Sequence, residues 1–294
     1  MKVFVTGAAG LVGRAVVASC AGLNQHVTAF DHQSLDITDE LRVNAAFDRE
    51  TPEVVINCAA WTDVDSCESD PERAAEVNAR GPELLAKACD KHGALLITIS
   101  TDYVFDGEKD GFYTQRDRPN PLSVYGLSKL EGERRAQEAS ARTIVVRSGY
   151  IFGSGGENFL STVVVRAQRG EPVRAIKDMF GTPTYAPDLA RQICKLAKLD
   201  VAGIYHIVNS GEGASFADFA RAAVSTAGLS GSLVKTVTLK ALNRPAARPR
   251  NSRLRCLFSE AIGLPRLRPF PEALIEFVNA ETCFKSSHPV IGSV

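Results

Sequence analysis

The chain has no long apolar run. None of its stretches approaches the ~20 consecutive apolar residues that a membrane-spanning helix needs, so a membrane is not an expected partner. Charge of one sign is also missing. Lys plus Arg and Asp plus Glu number 34 each in 294 residues, which gives no electrostatic reason to expect nucleic acid or a lipid surface. Paired cysteines are absent too. The seven cysteines, at 20, 58, 67, 89, 194, 256 and 283, are odd in number, scattered and without a CxxC pair. That pattern suits reduced thiols in the cytoplasm, packing as small hydrophobes. No His/Cys/Asp cluster has zinc-ligand spacing. The opening MKVFVTGAAG breaks its apolar run at Gly7, too early for a signal peptide, and is expected to be a strand entering a turn.

What is present is a regular alternation. The runs at 2–6, 26–30, 53–59, 95–100 and 143–147 are continuous and rich in β-branched residues. Strands apolar on both faces belong in a buried parallel sheet, and helical stretches separate them. One is expected from Pro71, with Ser69 or Asp70 as cap. It is expected to break at Gly81-Pro82 and resume to a stop at Gly93. Repeated βα units predict an α/β fold, a doubly wound Rossmann-type parallel sheet.

After about residue 150 the texture becomes less regular. Gly and Pro segments stand at 153–158 and 180–184, a strand is expected at 203–208 and a helix at 215–228. The basic, Pro-punctuated stretch 243–255 reads as a loop and the last ten residues as a loose tail. The expected division is a dinucleotide-binding domain over 1–150 and a smaller, mixed substrate-binding domain over 151–294. A segment near 184–208 is expected to return to the first.

The strand VFVT runs into Gly7, Gly10 and Gly13, with Leu11 and Val12 between, and a helical pattern follows. Glycines at this spacing allow a tight turn and let backbone N–H groups approach a pyrophosphate at a helix N-terminus. Asp31 ends the next strand 18 residues past Gly13, near the ~20 expected of a ribose-binding acid. A carboxylate there leans the cofactor toward NADH. Two other readings stay open: Asp31 begins a turn, or Arg14 meets the 2′-phosphate of NADPH. Asp36 and Ile37 are expected to close over the adenine.

Tyr125 and Lys129 form a YxxxK spacing, which puts both on one face of a helix. A free tyrosine is a poor acid, with a pKa near ~10, and a neighbouring ammonium lowers it. The tyrosine then gives a proton to a carbonyl oxygen as hydride arrives. YxxxK alone is common. Here the strand LLITIS ends in Ser100 and Thr101, at the carboxyl edge where α/β sheets bind ligands. Glycine turn, acid, strand-end hydroxyl and YxxxK, in that order, give the pattern its meaning.

With these segments the chain resembles the extended short-chain dehydrogenase/reductases and, within them, the dTDP-4-dehydrorhamnose reductase family. TGAAGLVG (6–13), VVINCAAWTDVDSCES (54–69), STDYVFDG (100–107), PLSVYGLSKLEGE (121–133), VVRSGYIFGSGGENF (145–159), DMFGTPT (178–184) and RPRNSRL (248–254) carry the likeness, nearly the whole chain. It implies NADH- or NADPH-dependent reduction of a 4-keto-6-deoxy sugar nucleotide, and possible homodimers. By motif, Thr101, Tyr125 and Lys129 are the catalytic set. Ala60, Trp61 and Thr62 flank the nicotinamide. Asp102, Tyr103, Tyr150, Asn158, Arg250 and Arg253 hold the substrate, the arginines through their planar forks.

Two positions depart from the family pattern. Tyr150 stands where the rhamnose enzymes commonly carry Trp. Ala15 replaces a Glu that relatives link to a metal, so no metal is expected. Two alternatives share parts of this pattern. A sugar-nucleotide epimerase shares the Tyr and Lys, and a non-catalytic regulatory subunit would keep the fold without needing them. Dehydratases usually place an acid after Thr-Asp, where this chain has Tyr103.

Overall fold

The computed structural model describes residues 1–155 and 158–286, with side chains to 280. The chain begins with β1 (Lys2–Thr6), α1 (Leu11–Gly22), β2 (His26–Phe30), α2 (Glu40–Glu50) and β3 (Val54–Asn57). It continues through α3 (Val64–Ser69), α4 (Pro71–Ala75), α5 (Gly81–His92), β4 (Leu95–Thr101), α6 (Val124–Ala139) and β5 (Thr143–Ser148). Shorter elements follow: β6 (Ile151–Phe152), α7 (Phe159–Gln168), β7 (Val173–Ile176), β8 (Phe180–Gly181), β9 (Thr184–Tyr185) and α8 (Ala186–Leu199). The remainder is β10 (Gly203–His206), β11 (Asn209–Ser210), β12 (Ala214–Ser215), α9 (Phe216–Thr226), β13 (Val234–Val237), β14 (Leu267–Pro269) and α10 (Phe270–Ser286).

Six strands form one sheet in the order β10-β5-β4-β3-β1-β2, every pairing parallel. Its strands alternate faces with period two. Val3 and Val5 pack with Val16 and Cys20 of α1 and Leu189, Ile193 and Leu196 of α8. Phe4, Val55 and Leu96 face the other way, onto Val43 and Phe47 of α2, Leu85 and Cys89 of α5, and Ala136 of α6. Both faces are covered, which is why these strands read as unbroken apolar runs. Strand order reverses at β1, where β2 lies on one side and β3 on the other, so a crevice opens at the carboxyl ends of β1 and β3. The fold is a Rossmann-type α/β sheet.

The strand expected at 203–208 is β10, and it joins this sheet by pairing with β5. Beyond the sheet edge, α7, α9 and α10 gather around Phe152, Phe219 and Phe277, while β7 and β13 pair beside a second small core of Val163, Ala217 and Val224. The stretch 243–255 contains no named strand or α-helix, as expected of a loop, apart from isolated bridges at Asn251 and Leu254. Of the expected tail, the first two residues end α10 and the rest, from 287 on, lies outside the described residues, as do Gly156 and Glu157 of the glycine segment.

One expected feature differs. The helix from Pro71 does not break at Gly81-Pro82. It passes through a π-helical turn over Glu76–Arg80 and continues as α5, ending at Gly93 in the left-handed conformation. Pro82 has no N–H for the carbonyl of Asn78, and widening the preceding turn absorbs the mismatch without stopping the helix.

Candidate functional site

The glycine turn is built for close approach. Gly7 has φ +64, and a Cβ there would stand 2.5 Å from the Ala59 nitrogen. A Cβ on Gly13 would fall on the Gly7 carbonyl. The backbone therefore folds back on itself and delivers the N-terminus of α1 to the crevice. Gly10 caps that helix without a side-chain bond, so the first-turn N–H groups, which have no partner inside a helix, remain for an anion. A dinucleotide pyrophosphate fits this cradle.

From the cradle a cleft of about 440 Å³ runs along the carboxyl edge of the sheet. Gly10, Leu11, Val12 and Gly13 line one end, Ala60 and Thr62 the flank beyond β3. Thr101, Asp102, Tyr103, Tyr125, Lys129, Tyr150 and Asn158 line the other end. A smaller aromatic recess of about 290 Å³ continues past Asp102, Tyr103 and Tyr150 to Phe159 and Phe216.

Two elements supply the chemistry. Strand β4 delivers Thr101, whose hydroxyl accepts from the Tyr103 N–H at 3.1 Å and lies within hydrogen-bond reach of the Tyr125 phenol. Helix α6 is capped by Ser123, whose hydroxyl accepts from the Gly126 N–H at 3.1 Å. One turn separates Tyr125 from Lys129 on its buried face, and both side chains are buried. Lys129 Nζ donates to the Ile99 carbonyl at 2.7 Å. Burial holds this ammonium down at about 8. Burial also pushes the Tyr125 phenol above its ordinary value, and a hydrogen bond with Thr101 offsets part of that. The expected lowering of Tyr125 by Lys129 is therefore not what the protein alone displays: desolvation dominates.

Asp102 is buried beside them. It accepts from the hydroxyls of Thr101, at 3.1 Å, and Ser252, and burial raises its carboxyl to about 6. Tyr150 has φ +45, a left-handed backbone unusual for a bulky residue. Its ring packs on Phe216 at 4.1 Å, and its buried hydroxyl finds no partner among the described residues.

Other expected site residues lie elsewhere. Trp61 packs beneath Tyr125 and carries Arg73 over its ring at 4.6 Å. The Asp31 carboxylate accepts from the N–H of Ser34 at 2.8 Å and from its hydroxyl at 2.7 Å, the turn geometry that was one open reading. Asp36 accepts from Thr38 at 2.8 Å, and Ile37 is buried against Gly81. Arg250 is exposed. Arg253 donates to Asn251 at 2.9 Å and sits over Phe112 and Phe180. None of Asp31, Asp36, Ile37, Arg250 and Arg253 lines the 440 Å³ cleft.

Several participants lie in the segments that carry the family likeness, but the sequence assigned them no role. Ser252 reaches Asp102 from 150 residues away. Arg248 grips Asp65 of α3 through both terminal nitrogens, at 3.0 and 2.9 Å, and also meets the Tyr103 phenol. Cys58 and Ser148 line the cleft as well. Arg248 and its anchor Asp65 both lie in segments that carry the family likeness, but nothing in the sequence pairs the two.

Oxidoreductases of the extended short-chain dehydrogenase/reductase class are organised in this way, and comparison with known proteins puts the chain among them. The family model described as RmlD substrate binding domain matches residues 1–283. The chain belongs to that family, and it is an oxidoreductase of the dTDP-4-dehydrorhamnose reductase type. A dTDP-4-dehydrorhamnose reductase of Streptomyces griseus is 38% identical over 98% of this chain and 96% of its own. A dTDP-4-keto-6-deoxy-D-glucose reductase of Streptomyces niveus is 35% identical over 92% and 94%. The crystal structure of dTDP-4-dehydrorhamnose reductase from Bacillus anthracis in complex with NADP matches with a TM-score of 0.91 and 32% identity, covering 95% of this chain and 99% of that one.

Proposed function

We propose that the protein reduces the 4-keto group of a 4-keto-6-deoxy sugar nucleotide, of the dTDP-4-dehydrorhamnose kind, to the 4-hydroxy sugar. NADH or NADPH, held over the Gly7–Gly13 cradle, supplies the hydride when bound. The observation that carries this reading is the convergence of Thr101, Tyr125 and Lys129 in one cleft that is continuous with the cradle.

In this reading the Thr101 and Tyr125 hydroxyls meet the substrate's O4. Because burial keeps Tyr125 a phenol at neutral pH, it suits the acid's part in a reduction. It gives its proton to the oxygen as charge develops there. Lys129, buried one turn along, supplies the positive charge that eases the proton's departure. Asp102, Tyr103 and Tyr150 border the sugar and exclude water from it. Asn158 stands where the cleft turns toward the aromatic recess, on the nucleotide's path.

Tyr125→Phe is the test. With a dTDP-4-keto-6-deoxy sugar, the wild type oxidises NAD(P)H mole for mole, whereas an epimerase shows no net oxidation. The variant keeps its cofactor affinity and loses roughly 10²–10⁴ in kcat. Near-normal turnover in that variant overturns the assignment.

A further inference from the structure

Beneath the candidate site lies a buried ion pair that the chemistry above does not use. Glu133, on α6, and Arg147, on β5, have side chains only 2% and 4% exposed. Arg147 donates twice, Nε to Oε1 at 2.9 Å and Nη2 to Oε2 at 2.5 Å. The same Oε1 accepts the hydroxyl of Ser100, the residue before Thr101 on β4. A buried pair is weak evidence of a stabilising role, because apolar residues of similar volume often do as well. Its placement suggests another use. Tyr125, Lys129 and Glu133 stand four residues apart on the buried face of α6, so proton donor, cation and carboxylate lie in a row.

We propose that Glu133 is a positioning residue for the reduction: fixed by Arg147, its carboxylate holds Lys129 as an ammonium beside Tyr125 and anchors the Ser100–Thr101 end of β4. The inference rests on Thr101, Tyr125 and Lys129 being the catalytic set. Among the described residues two groups act on the charge of Lys129 from the elements around it, Glu133 on its own helix and Cys58 just past β3. Burial pushes the Cys58 thiol up to about 12, so near neutral pH it carries no charge. That leaves Glu133 as the anion that opposes the desolvation of Lys129. The Ile99 carbonyl adds a hydrogen bond at 2.7 Å but no net charge.

The sign follows directly. Without the Glu133 charge, Lys129 gives up its proton at lower pH, and Tyr125 loses its cation there. Glu133→Gln alone leaves Arg147 buried without its counter-charge, a destabilising change. Glu133→Gln/Arg147→Met removes that charge and keeps the apolar stem over Phe105. The experiment records kcat against pH for the wild type and both variants, with NADPH and a dTDP-4-keto-6-deoxy sugar.

An alkaline limb set by Lys129 is expected near pH 8 in the wild type and should move to lower pH by about one pH unit in the soluble variants. The loss is then about tenfold larger at pH 8.5 than at pH 6. The double variant decides the matter if the single one does not fold. A uniform loss across pH, with the limb where the wild type has it, overturns the proposal. Tyr125→Phe is measured alongside. If it turns over normally, the catalytic reading falls and this proposal with it. If it is inactive while the limb stays in place, only the role of Glu133 is refuted.

Discussion

Asp102 sits where a carboxylate is costly. It is 3% exposed, with two hydroxyls and, among the described residues, no cation bonded to it. Burial lifts its pKa from 3.8 to about 6. The folded state therefore holds this proton more tightly than the unfolded chain does. The resulting stability is present in full below about pH 4 and is lost as pH rises through about 6. The difference between the two pKa values corresponds to about 3 kcal/mol. Asp102→Asn removes the titration. Its melting temperature relative to wild type should rise between pH 4 and pH 8, by an amount equivalent to roughly that energy. A melting difference independent of pH would show that Asp102 stays ionised throughout. Thr101 on one side and Ser252 on the other keep the carboxyl at the cleft. The sequence motif pointed to Asp102, but the buried hydroxyl that satisfies it comes from a distant loop, and nothing in the sequence pairs the two.

At the scale of elements, the helical run from Pro71 to His92 shows what was legible and what was not. The cap at Asp70, the proline in the first turn and the glycine stop at Gly93 are local signals, and the structure has all three. The break expected at Gly81-Pro82 is absent because the cost of a proline depends on what the freed carbonyl meets. Here the π-turn around Asn78 is pressed against α6. A Cβ at Gly132 would collide with the Asn78 carbonyl. The Asn78 side chain in turn accepts from the Trp61 N–H at 2.9 Å and donates to the Trp61 carbonyl at 3.0 Å and to Ser128 at 3.1 Å. One irregular turn thus spaces the helix carrying Tyr125 and Lys129 from the loop that flanks the cleft. Gly132→Ala should force these helices apart and cost about 1–3 kcal/mol, as overpacking does. Chemical denaturation would measure that loss, and an unchanged midpoint would mean the contact relaxes freely. A sequence shows the glycine, but the carbonyl that requires it lies 54 residues away.

At the scale of the whole molecule, parallel strands and motif residues were legible because a βα unit concentrates them within a few residues. The rim of the site was not, because residues far apart in sequence build it. Asp65 on α3 binds the 243–255 loop at four points. It pairs with Arg248 through two bonds at 3.0 and 2.9 Å, meets Arg244 at 3.2 Å and accepts the Ala246 N–H at 3.1 Å. Arg248 holds the Asp65 carboxyl below the usual carboxylate range. The clasp lies partly in solvent, so its contribution to global stability is modest. Its consequence is geometric: it fixes the loop whose Ser252 reaches Asp102 and whose Arg248 meets Tyr103. Asp65→Asn should therefore loosen the substrate side of the cleft while the Gly7–Gly13 cradle, on the far side of the crevice, stays as it is. The expected result is a KM for the sugar nucleotide raised about tenfold, equivalent to ~1.4 kcal/mol, with cofactor affinity unchanged. Added salt should narrow the gap between variant and wild type, because a partly exposed ion pair is screened. Steady-state kinetics at low and high salt, with cofactor titrated separately, check this. Equal weakening of cofactor and substrate would mean that the clasp supports the fold at large and not the rim of the site.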